Sequence, residues 1–165
     1  NISKTVGQSN LWFTNIKRRN RKLEKLGRVF RKRVCELNLK QSCVLDPEAS
    51  RLLNPKESKK FKYFIFGGIL GDYPRKKRTK KELTNFVNAN SRNIGKKQMS
   101  TDNAVYTVKQ IASGKKLSSL KFHDKLEIKV NNIESVILPF RYNLVNEKPF
   151  ISEKLVKLLK RKRGF

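Results

Sequence analysis

The sequence predicts an α/β fold built on a parallel sheet, and three observations carry that prediction. Strand-like runs at 42–46 and 61–66 alternate with helix signals along the chain. Tyr63, Phe64, Ile65 and Phe66 form a short aromatic and β-branched run, which reads as a strand buried in a parallel sheet and ended by Gly67 and Gly68. Ala104, Val105, Val108, Ile111 and Ala112 repeat with the spacing of one buried helix face.

Taken in order, residues 11–16 read as a first strand, and the basic stretch from Lys17 to Leu39 reads as mostly helical, interrupted near Gly27. Residues 42–46 read as a second strand. Asp46 and Pro47 then suit the cap and first turn of a short helix over 47–53. The strand 61–66 and its glycine turn lead to a helix around 82–88, an extended piece at 91–94 and a second turn at Gly95. Ser100, Thr101 and Asp102 open the helix that follows, as capping residues and first-turn charge. Segments 119–122, 125–130 and 134–141 read as short strands or extended connectors, with a turn at Asn131 and Asn132. A last helix, 151–160, sets Ile151, Leu155, Leu158 and Leu159 on one face and runs into a cationic tail.

The 165 residues suit one domain, since no repeat and no long low-complexity linker divides them. Forty Lys and Arg against thirteen Asp and Glu give a formal +27, well beyond what solubility requires, so an anionic partner is expected, nucleic acid or a ribonucleoprotein first. No apolar run approaches the roughly 20 residues of a membrane span, and no membrane partner is expected. Cys35 and Cys43 lack the paired spacing of a zinc site and read as reduced core thiols of a cytoplasmic protein. His123 has no ligand-like neighbours, so no metal is expected.

Glycine admits positive φ and lets another surface touch the main chain, so Gly67, Gly68 and Gly71 together suggest a ligand cradle, or else a tight turn with no ligand. Four motifs in order, FIFGGILGDYP, RT followed by EL, IGKKQMSTDNAV and ESVILPFRY, closely resemble those of the SPOUT-class methyltransferases that include eukaryotic protein arginine methyltransferases and archaeal proteins labelled as RNA methyltransferases. The resemblance covers essentially the whole chain. It implies an α/β fold with a C-terminal trefoil knot whose loops bind S-adenosylmethionine (SAM). It divides the domain into a Rossmann-like half (1–60), the knot and SAM loops (61–114) and a C-terminal extension (115–165). Members of that family usually begin with a further strand and helix. The opening NISKTVGQSN looks like the end of that helix, so about twenty-odd residues, one βα unit, are expected to precede it. Where the family has histidine and two prolines after the glycine turn, this chain has Tyr73, Pro74 and Arg75, which puts any role for that histidine in doubt here.

By the same resemblance, Gly67, Gly68, Leu70, Gly71, Ile94, Gly95, Gln98, Met99, Ser100 and Asp102 line the cofactor site. Met99 suits an apolar wall for adenine, or is core filler. Methyl transfer from a sulfonium is an in-line displacement, so the protein mainly orients donor and acceptor. An arginine acceptor is protonated and delocalised, so carboxylates should hold it by bidentate hydrogen bonds and take up its proton. Asp72 and Glu134 are the candidates, with Asp102 third. Each also has a structural reading, as turn residue, strand carboxylate and helix-start charge respectively. Arg141 and Tyr142 are candidates for contact with the SAM carboxylate or the substrate, or are packing residues.

The implied function is methylation of an arginine in a ribosomal protein. RNA methylation and a catalytically silent ribosome- or RNA-binding role are the alternatives. The run from Arg75 to Lys81, with six cations in seven residues beside the glycine turn, is expected to touch ribosomal RNA or an RNA-bound protein. Residues 17–33 carry ten more cations, either a solvated face or a second contact. Both monomer and homodimer are compatible with the sequence.

Overall fold

The computed structural model describes residues 1–68, 78–131 and 133–162. They form α1 (Ile2–Val6), β1 (Trp12–Phe13), α2 (Arg21–Glu24), β2 (Arg28–Val29), β3 (Ser42–Leu45), α3 (Pro55–Ser58), β4 (Tyr63–Ile65), α4 (Arg78–Glu82), β5 (Asn90–Arg92), α5 (Thr101–Ala112), β6 (Phe122–Lys129), β7 (Ser135–Val145), β8 (Lys148–Pro149) and α6 (Glu153–Lys162). The fold is α/β with a parallel central sheet in the order β4-β3-β5. β3 is buried along its whole length because it is the middle strand, which explains its unbroken apolar run Cys43, Val44, Leu45.

α5 closes one side of this sheet. Val108 and Ile111 pack with Cys43, Leu45, Leu53 and Ile94, and Phe61, Phe64, Phe66 and Leu117 surround them. β1 and β2 form a second parallel pair, joined to the central sheet through the Trp12 ring, 5.4 Å from that of Tyr63. β6 and β7 form a long antiparallel hairpin, with β8 returning along β7. Its register shifts between Asp124 and Leu126, where Lys125 takes φ 59° and Pro139 on the facing strand has no amide to give.

Three expected helices differ. The stretch from Lys17 to Leu39 is helical only in α2 and in a 3-10 turn at Val34–Leu37. Between them the chain pairs laterally, the Arg28 amide donating to the Leu11 carbonyl at 2.8 Å and the Phe30 amide to Phe13 at 2.8 Å. Gly27 permits this: a Cβ there would stand 2.5 Å from the Leu11 carbonyl oxygen. Residues 47–53 are not a helix, because Asp46 closes a short turn on the Glu48 amide and Leu52 bridges to Asn93. The helix starts one cap later, at Asn54, whose side chain accepts from the Glu57 amide with Pro55 in the first turn. The helix placed at 82–88 is α4, ending at Glu82, followed by a 3-10 turn at Thr84–Phe86. No described helix is long and apolar enough to cross a membrane.

Candidate active site

Parallel strands deliver their carboxyl ends to one edge, the edge at which open α/β sheets bind ligands. Here β4 brings Phe66, Gly67 and Gly68 to that edge, and β5 brings Asn93, Ile94 and Gly95. β3 lies between them and ends at Asp46. The chain reaches β4 on one flank of β3 and β5 on the other, so the strand order reverses at β3, as it does where doubly wound sheets open a crevice. The two glycine turns expected to enclose a ligand therefore start from the same edge. Leu70, Gly71 and Asp72 of the first turn lie outside the described residues.

The glycines do different work. Gly95 has φ +96° and donates its amide to the Asn93 side-chain oxygen at 3.0 Å. Asn93 is itself fixed by its side-chain amide on the Ala49 carbonyl at 2.8 Å, so the turn is locked from below. Gly68 has no left-handed torsion, and a Cβ placed on it meets nothing within 4 Å. A side chain there would project into open space at the carboxyl edge.

From Gly95 the loop runs to α5 under tight control. The Arg141 amide donates to the Gln98 carbonyl at 2.8 Å, and Met99 bridges to Arg141 in parallel. Ile94 and Met99 pack into the core, so both serve the fold. Ser100 stands at the cap of α5 but does not cap it with its side chain: its hydroxyl donates to Asp102 Oδ1 at 2.6 Å, an oxygen that also accepts the Asn103 amide at 3.0 Å. Asp102 Oδ2 accepts from the Asn1 side chain at 3.0 Å.

Of the remaining candidates, Arg141 and its neighbour Tyr142 lie on the strand that pairs with the Gly95 loop, and Glu134 lies away from it. The Arg141 guanidinium is held by Asp124 at 2.9 and 3.3 Å and lies over the Phe122 ring at 4.9 Å. Arg141 and, at 2.5 Å, Lys97 hold the Asp124 carboxyl far below the usual carboxylate range. Tyr142 is buried, and burial with the charge of Asp102 pushes its hydroxyl up to about 12. Glu134 sits in the turn between β6 and β7, its amide on the Asn131 side chain at 2.7 Å. Along β7 that turn is roughly 20 Å from Arg141 at about 3.3 Å per residue, so the hairpin carries Glu134 away from the 94–102 loop. Among the described residues no group of three or more His, Cys, Asp or Glu side chains could hold a metal ion.

Sequence reasoning missed a buried polar cluster. Asn103, Thr107 and Asn143 are at most 2% exposed. Asn103 Oδ1 accepts the Asn143 amide at 2.8 Å, and its Nδ2 donates to Ser100 Oγ at 3.0 Å and to the Phe150 carbonyl at 2.9 Å. The Thr107 hydroxyl lies 3.0 Å from Asn143 Oδ1. The available signal was two uncharged polar side chains four apart on the same stripe of α5 as Ile111. Asp46, expected only as a helix cap, is also buried, and its Oδ2 accepts the Thr84 hydroxyl at 2.7 Å.

A family profile described as Protein arginine N-methyltransferase SFM1-like matches residues 1–164. The chain belongs to that family. It is 43% identical over 122 residues to Protein arginine N-methyltransferase SFM1 of Saccharomyces cerevisiae, a match that covers 72% of this chain and 57% of that protein, less than two thirds of its length. The crystal structure of yeast SFM1 complexed with SAM superposes with a TM-score of 0.88 at 35% identity, over 98% of this chain and 81% of that one. The complex with SAH gives 0.87 at 35% identity, over 96% and 84%. This SFM1-like chain thus shares its overall fold with those structures.

Proposed function

We propose that this SFM1-like chain is a SAM-dependent protein arginine methyltransferase and that its acceptor is an arginine of a ribosomal protein. The observation that carries the reading is the pair of glycine turns leaving one carboxyl edge on either side of β3, with open space ahead of Gly68, in a fold shared with SAM-bound yeast SFM1. Bound there, SAM would supply an electrophilic methyl group. The main chain at Gly67, Gly68, Leu70, Gly71, Gly95 and Gln98 would hold it, with Met99 as an apolar wall.

The chain's own part in the chemistry is to place the acceptor nitrogen in line and to accept its proton. Asp72, the last residue of the sequence motif FIFGGILGD, is the proposed carboxylate for both tasks. Asp102, held by Ser100 and Asn1, is proposed to fix the loop rather than to receive the proton. Glu134, Arg141 and Tyr142 are left out of the reacting set: one is at the hairpin turn, one is neutralised by Asp124 and one is buried. The trefoil knot is part of the proposal, supported by the pairing of residue 141 alongside 98 and 99. So are a cytoplasmic setting and RNA contact through Arg75 to Lys81, of which Lys80 and Lys81 are exposed on α4.

The +27 charge favours one rival, RNA methylation. Incubation with methyl-labelled SAM and whole ribosomes, then nuclease or protease digestion, separates them. Label that survives nuclease and is lost to protease supports the proposal, and the reverse supports RNA. Absence of SAM binding by calorimetry would leave a non-catalytic binder.

A further inference from the structure

We propose that residues 17–32 form a docking face for the phosphate backbone of structured RNA. The segment is a closed loop with both ends pinned. The Ile16 amide donates to the Phe30 carbonyl at 3.1 Å and the Asn15 amide to Lys32 at 2.8 Å, so the start and finish of the loop run side by side. Within it Asn20 caps α2 through the Lys22 and Leu23 amides. The cations are therefore mounted on ordered backbone, and all of them are exposed.

Their charge is uncompensated. Glu24 is the single acid of the segment, and Arg19 takes it at 3.3 Å. Arg18, Arg21, Lys22, Lys25, Arg31 and Lys32 have no acidic partner among the described residues. Arg21 and Lys25 stand four apart across α2, a like-charge spacing that opposes the helix. An anion is what such a face lacks. Leu26 is the one exposed large apolar side chain of the segment, whereas peptide or bilayer docking relies on apolar anchors. Arginine forks match phosphate oxygens in pairs, and a duplex RNA is read mainly through its backbone and shape.

The test uses the full chain and a fluorescein-labelled RNA hairpin, followed by anisotropy across a salt series without SAM, so its outcome is independent of the methyltransferase reading. The variant Arg18→Gln/Arg21→Gln/Lys22→Gln/Lys25→Gln is expected to lose about 3 from the slope of log affinity against log salt, and so to bind about 300-fold more weakly at physiological salt. Lys154→Gln/Lys157→Gln/Lys160→Gln/Arg161→Gln on α6 removes equal charge and is expected to have a smaller effect. Equal losses from both variants, or an unchanged slope in the first, would overturn the proposal. So would tighter binding to poly-glutamate or to phosphatidylserine vesicles than to the hairpin. On the unmutated chain, RNA should protect Lys22 and Lys25 from acetylation, and failure to protect them would also overturn it.

Discussion

Asn143 holds Asn103 through two donors: its main-chain amide donates to Asn103 Oδ1 at 2.8 Å, and its side-chain amide donates to the Asn103 carbonyl at 3.0 Å. This joins the first turn of α5 to β7, while Nδ2 of Asn103 reaches Ser100 at the end of the 94–100 loop. Asn103→Ala would leave the buried Asn143 main-chain amide and the Phe150 carbonyl without these partners, a loss of about 1–3 kcal/mol for each group left unpaired. Urea titration should show that loss, and calorimetry should show weaker SAM binding because the loop is no longer tied to the helix. Unchanged stability would contradict the assigned role.

Gly68 and Gly95 should respond differently to substitution. Gly68→Val meets open space and no left-handed torsion, so its stability should stay within about 0.5 kcal/mol of the parent while SAM binding is lost. Gly95→Val forces a β-branched residue to φ +96°, at a cost of about 1–3 kcal/mol. A Gly68→Val protein that binds SAM normally would refute the cradle.

Gly27→Ala puts a Cβ 2.5 Å from the Leu11 carbonyl oxygen, a backbone atom and not the far end of a flexible side chain. The expected result is a destabilisation on the order of 1–3 kcal/mol and separation of β2 from β1. Trypsin reads this directly, because residues 17–33 hold ten cleavable cations. Faster cutting there than elsewhere is expected, and an unaltered digestion pattern would argue against the close approach.

Acid should weaken the fold below the ordinary carboxylate range. Asp124 is held down by Arg141 and then Lys97, and Glu57 by its hydrogen bonds from Arg92 at 3.0 and 3.1 Å. A carboxyl whose folded pKa lies below its unfolded value contributes stability in full above about pH 4 and loses it as pH falls toward the folded value. The gap in urea midpoint between the parent and Asp124→Asn should be constant near neutrality and close below about pH 4. Added salt should shrink it, since Asp124 is partly exposed. A gap that widens on acidification would reverse the assignment.

The parallel sheet was legible because Cys43 to Leu45 are buried on both faces and the edge strand Tyr63 to Ile65 is half-buried to buried, so apolar side chains run without a break. α5 was legible from its 3.6-residue repeat, and the Gly95 turn from a residue that only its positive φ requires. Residues 17–33 misled because lysine, arginine and leucine favour helix locally, while the outcome was decided by hydrogen bonds to residues 11–16 that no local pattern encodes. Asp46-Pro47 and Asn54-Pro55 carry the same helix-start signature. Only the second is followed by chain free to coil, since Arg51 to Leu53 are bound to Asn93. The partner of the two polar residues on the buried stripe of α5 was hidden for a like reason: Asn143 lies 40 residues from Asn103.

Trp12 is the chain's single tryptophan, and its indole is flanked by Phe30 at 4.8 Å and Tyr63 at 5.4 Å, with the Arg28 guanidinium 6.0 Å from its centre. Excitation at the red edge of protein absorption therefore addresses one spot, the seam where the small strand pair abuts the main sheet. Its emission is a native gauge of that seam. Parting the two layers would wet the ring and redden the light, and an anion drawing Arg28 aside would change its brightness with no dye attached.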